Sequence, residues 1–175
     1  MREHRYSMDI PHSPERVWAL MQDYDSWTAY APMVVRVEVL WPGDDAGNGL
    51  LRRVVYKMPL GRQGTALELV SDVLPAEGYT YTMISSSPGN DQTGAVRLER
   101  VGANATKLQF EERYNLEKAP WKWFEGPIYS FINKQNERSM RRLSEWLTAH
   151  PEYRPDLVQA ETRRPPATPR PPATP

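Results

Sequence analysis

The chain has 175 residues, with 22 Lys and Arg set against 22 Asp and Glu, so its formal net charge is zero. That length allows one domain with a real core, and the charge balance argues against nucleic acid as a partner, which needs a basic excess to neutralise phosphates. There is no cysteine, which excludes disulfides, thiol nucleophiles and cysteine-ligated zinc, and which suits a cytoplasmic setting.

The N-terminal stretch MREHRYSMDI is charged and lacks the apolar run of a signal peptide. Its HRYSMDI part alternates and predicts a short strand. SPERVWALMQD then starts a helix, with Ser13 as N-cap, Pro14 at the first position and Arg16 where a capping-box glutamate would lie. A second short helix around Asp23–Tyr30 should stop before Pro32. Beyond Pro32 the period changes to two. VVRVEVLW places Val35, Val37 and Val39 on one face and Arg36 and Glu38 on the other. GNGLLRRVVYKM, GTALELVSDVL, GYTYTMIS, GAVRLERV and TKLQFEERYNL follow, each bounded by Gly, Asn or Pro, and read as an antiparallel meander. A long helix from about Pro127 to His150 closes the order. No stretch is long and apolar enough to span a membrane.

From Pro151 the composition changes: 8 of the 17 prolines fall in residues 151–175, ending in the tandem repeat RPPATP at Arg164–Pro169 and Arg170–Pro175. Such a segment has nothing to bury and is expected to be disordered, either as an inert tail or as a polyproline ligand for a partner. Residues 1–150 are the expected domain and 151–175 the tail.

One strand, two short helices, six strands and a long helix describe an α+β domain. A curved seven-stranded antiparallel sheet needs its concave face filled, and only the C-terminal helix is long enough. Its predicted inward stripe is Ile128, Phe131, Ile132, Gln135, Ser139, Leu143, Trp146 and Leu147, with Lys134, Arg138, Arg141 and Glu145 opposite.

That order, with IPHSPERVWALMQDYDSW, APMVVRVEVL, GNGLLRRV and YNLEKAPW as the stretches that carry the likeness, resembles the helix-grip fold of the START-like (SRPBCC) superfamily. Within it the chain is most similar to the polyketide cyclase/dehydrase and lipid-transport group, over about residues 3–149. The resemblance implies an internal cavity between sheet and helix that takes a small hydrophobic, lipid- or polyketide-like ligand. It also implies an alternative, a cyclase/aromatase acting on a polyketide-like chain, whose relatives steer the substrate with an interior arginine and tyrosines. The fourth strand offers Glu68 and Asp72 but no basic residue there, while Arg52, Arg53 and Arg97 lie on other strands, so that role transfers to no residue of this chain. A third reading is a protein-interaction module.

His4, His12 and His150 are scattered, so neither a triad nor a metal site is expected, and the glycines match no cofactor motif. No cofactor is expected. Aromatic residues are abundant in the domain. Tyr30, Tyr56, Tyr81, Phe110, Tyr114, Trp123, Phe124, Ile128 and Ile132 are the candidate ligand-binding residues. Glu112 shares strand parity with Phe110 and Tyr114. If it points inward it must meet a tyrosine, an arginine or water, and it is then the candidate acid/base; the competing reading is a solvated charge on the outer face. EERYNLEKAPWKW has an interfacial look that would suit a transient membrane contact.

Overall fold

The computed structural model describes residues 2–58, 61–87, 91–115 and 125–153. β1 (Arg2–Ile10) leads into α1 (Pro14–Gln22), a 3-10 turn (Tyr24–Ser26) and α2 (Trp27–Tyr30). Six strands follow: β2 (Val34–Trp41), β3 (Leu51–Lys57), β4 (Gln63–Leu74), β5 (Gly78–Ser87), β6 (Asp91–Gly102) and β7 (Ala105–Asn115), before α3 (Glu125–Ala149). The spatial order is β1-β7-β6-β5-β4-β3-β2, antiparallel throughout. The six later strands form the expected meander, and β1 closes on its far edge. This is the helix-grip arrangement, with α3 on the concave face.

Alternation sets which side chains enter. In β7 Leu108, Phe110, Glu112 and Tyr114 are buried, while Lys107, Gln109 and Arg113 are exposed. In β4 Ala66, Glu68 and Val70 are buried, with a bulge between Leu67 and Glu68. The tightest packing lies at one end, where Ile10, Val17, Leu20, Leu108, Leu143 and Leu147 lose all solvent contact. Each such aliphatic side chain contributes about 1.5–3 kcal/mol relative to exposure.

Two sequence expectations are refined here. Ser13 is the N-cap of α1 by position but makes no side-chain cap bond. Arg16, in the capping-box position, reaches away from α1 and donates to the backbone oxygens of Leu147 and His150 at the end of α3. A cation there complements the terminal carbonyls and negative dipole end of that helix.

One expectation fails. Phe131 is 44% exposed, so it does not belong to the inward stripe of α3. The expected Ser139, Leu143 and Leu147 are buried and Ile132 is half-buried, while the buried face also takes in Asn133, with Asn136 and Met140 half-buried beside it. A stripe drawn by hydrophobicity rotates toward Phe131 because the true one contains two asparagines. Those asparagines bond to polar groups of the sheet, which offsets the cost of burying them.

Candidate functional site

The register aligns the interior into rows. One runs His4–Glu112–Gly94–Tyr81–Val70 across β1, β7, β6, β5 and β4. The next runs Tyr114–Gln92–Met83–Glu68–Arg52 across β7, β6, β5, β4 and β3. A third, Tyr6–Phe110–Val96–Tyr79, is apolar and aromatic.

In the first row Tyr81 and Glu112 stand two strands apart, roughly 9–10 Å between backbones. They nevertheless meet, because Gly94 between them has no side chain and the Tyr81 ring lies across it. A Cβ at Gly94 would fall 2.3 Å from the ring. The Tyr81 hydroxyl donates to Glu112 Oε1, as does the Gln92 amide, and Asn136 Nδ2 of α3 donates to Oε2 at 2.7 Å. Glu112 is 2% exposed. Burial pushes its carboxyl up to about 7, against the pull of the donors from Tyr81, Gln92 and Asn136, with Glu68 adding repulsion. Desolvation outweighs three hydrogen bonds. Burial, then the charges of Glu112 and Glu68, raises the Tyr81 phenol well above its usual range, so it remains a donor.

A second polar cluster lies along the neighbouring row. Arg52, 2% exposed, donates from Nε to Glu68 Oε2 at 2.8 Å. Its guanidinium sits over the rings of Trp27 at 4.6 Å, Tyr24 at 5.4 Å and Tyr79 at 5.5 Å, an aromatic enclosure of the kind that stabilises a cation. Burial opposes the charge, yet Glu68 with Tyr79 and Tyr24 holds Arg52 above its ordinary value. In the first half of α3 the Asn133 Oδ1 accepts from the Tyr114 hydroxyl at 2.8 Å.

Tyr30, Tyr81, Phe110, Glu112 and Tyr114 are therefore all buried within the grip, and Tyr56, Ile128 and Ile132 are half-buried. Tyr30 lies close enough to Tyr79 and Arg52 for their charges to act on its phenol, which burial raises well above its ordinary value. Trp123 and Phe124 lie outside the described residues.

An interior arginine exists after all, on β3. Arg52 shares parity with Val54 and Tyr56, and that parity was the available signal. The adjacent Arg53, exposed on the other face, obscured it. Asn133 and Asn136 gave no signal, since a polar residue on a helix reads as solvated. Among the described residues no group of acidic, histidine or cysteine side chains could hold a metal ion.

The grip is filled unevenly. Tyr79, Val96 and Phe110 are fully buried, whereas Tyr56, Met83 and Gln92 on the same concave face keep part of their surface accessible, as do Ile128, Ile132 and Asn136 of α3. The partly accessible interior positions thus lie on β3, β5 and β6 and in the first half of α3. A separate open hollow of about 430 Å³ at Pro14, Pro75, Leu98 and Arg100 lies beside the start of α1, away from both polar clusters.

A family profile described as polyketide cyclase / dehydrase and lipid transport matches residues 1–152. The chain belongs to that family. Among solved structures, this family member is similar to the protein TTHA0849 from Thermus thermophilus, with 20% identity and a TM-score of 0.71 over 85% of this chain and 98% of that one. It is similar to the Zhui aromatase/cyclase from Streptomyces sp. R1128, with 13% identity and a TM-score of 0.74 over 85% and 94%. A START superfamily protein from Mycobacterium smegmatis matches at 13% identity and a TM-score of 0.61 over 85% and 95%. At these identities the likeness is one of fold. No curated protein matches by sequence.

Proposed function

We propose that this family member binds a small hydrophobic molecule between the concave sheet and the first half of α3, and carries or sequesters it. The observation that supports this reading is the partial exposure of Tyr56, Met83 and Gln92 on the concave sheet face and of Ile128, Ile132 and Asn136 on the first half of α3. Aromatic and aliphatic groups dominate that lining, with a few amides to orient a ligand, as small-molecule sites require. Meanwhile Arg52 is paired with Glu68, and Glu112 with Tyr81, Gln92 and Asn136. Their first role is to satisfy one another and set the shape and polarity of the interior. A chain with no cysteine suits the cytoplasm, which supports placing the carrier there. Among the described residues no helix is long and apolar enough to cross a membrane, so loading from a bilayer would proceed by transient surface contact.

Native mass spectrometry of the full chain, purified without detergent, tests the reading. A copurified apolar adduct is expected, and filling the space with Met83→Trp should remove it while circular dichroism stays unchanged. Wild-type protein that carries nothing and binds no fatty acid or aromatic probe would sink it.

One observation favours a second reading, cyclisation of a polyketide-like chain. Glu112 exchanges its proton near neutrality and sits against the Tyr81 hydroxyl, as a general acid/base would. Glu112→Gln keeps the shape and removes the proton transfer. A carrier should bind a probe as before, whereas an enzyme should lose roughly 10²–10⁴ in turnover with binding intact.

A further inference from the structure

We propose that the outer edge of β2 is a self-complementary strand that pairs antiparallel with β2 of a second copy of this chain, joining two sheets edge to edge. Among the described residues no strand pairs with that edge, since β2 ends the sheet. Unpaired backbone donors and acceptors on such an edge invite another strand.

The side chains specify which one. Between bulges at Val34/Arg36 and Val39/Trp41, β2 carries Arg36, Val37, Glu38 and Val39 in regular register with β3. Rotated about a twofold axis at Val37, this stretch meets its own copy with Arg36 opposite the second copy's Glu38 and Glu38 opposite its Arg36. On the other face Val37 meets Val37 of the second copy. Edge charges normally repel further strands, but that works against a like strand only when equal signs come opposite. Here opposite signs do.

Two features of the isolated chain fit this pairing. Val39 pairs with Arg52 on the same face as Val37, at the edge of the sheet, and is 47% exposed. On the outer face Glu38 already accepts from Arg53 at 2.8 Å and from Arg36 at 2.6 Å. A second copy would extend this into a ladder Arg53–Glu38–Arg36 across the new junction. The flanking bulges confine the regular pairing to the four residues Arg36, Val37, Glu38 and Val39, so the interface is small, and a dissociation constant in roughly the micromolar range is expected.

Sedimentation velocity on the full chain tests it, over a concentration series reaching about 100 µM, well above that range. Wild type should be in monomer–dimer exchange. Arg36→Glu places two acidic residues opposite two more, and Glu38→Arg places two basic residues opposite two more. Each variant alone should weaken dimerisation at least about tenfold, with its melting temperature retained as a check on folding. The mixture is decisive: combined one to one, the acidic variant meets the basic one with every charge paired, so dimer should return. A wild type that stays monomeric throughout the series overturns the proposal. So does either variant dimerising like wild type, or a mixture that remains monomeric.

Discussion

A carboxyl group enclosed by Tyr81, Gln92 and Asn136 is under opposed pressures, because the donors favour its charge while the surrounding apolar fold disfavours it. For Glu112 the fold prevails, moving it from an ordinary 4.5 to about 7. The folded state therefore binds this proton more tightly than the unfolded state does. Its contribution to stability is fully present below the unfolded value and is lost as pH rises through the window from 4.5 to about 7, a change of about 3 kcal/mol. Nearby groups titrate as well: burial, opposed by Glu137, lowers His4 in the same row, so it weakens the fold in the opposite direction on acidification. The difference between wild type and Glu112→Gln isolates the carboxyl. Urea unfolding at pH 5 and pH 8 should show wild type losing about 2.5 kcal/mol more than the variant between the two. An equal change in both would mean that Glu112 titrates normally.

For the secondary-structure elements, strand parity carried most of what the sequence could tell. Phe110, Glu112 and Tyr114 were placed together by alternation alone, and all three are buried. Parity failed where two like residues stood side by side: Arg52 and Arg53 look equivalent in the sequence, though one is enclosed by Trp27, Tyr24 and Tyr79 and the other is exposed. Helix phase was legible in the second half of α3, where Leu143 and Leu147 fix it, and illegible in the first, where Asn133 and Asn136 face in. Their partners are tertiary, so no local pattern announces them. The corrected phase makes its own prediction. Leu143→Asp should unfold the domain or cost at least about 4 kcal/mol, through an unpaired buried charge, whereas Phe131→Asp should stay within about 0.5 kcal/mol of wild type. Thermal melts of the two variants read this directly. Similar losses in both would return Phe131 to the inward face.

At the level of the whole molecule, the closing pair is β1 with β7, in which Tyr6 lies opposite Phe110 and Met8 opposite Leu108. Deleting residues 2–10 would remove the wholly buried Ile10 and open the edge of β7 beside the core. The shortened chain should keep much of its strand content but lose its cooperative melt and bind an apolar dye, as a state without fixed packing does. A sharp melt near the wild-type temperature would show that β1 is dispensable. The same closure shapes how the chain is born. During translation the first strand leaves the ribosome long before its partner exists, and the strands between them can pair in turn while it waits. Until β7 has emerged, that segment is an exposed, alternating apolar stretch open to chaperones and to other nascent chains. A stalled message that stops short of the seventh strand would release a product unable to seal its own sheet, so the point of commitment for this protein lies late in its synthesis.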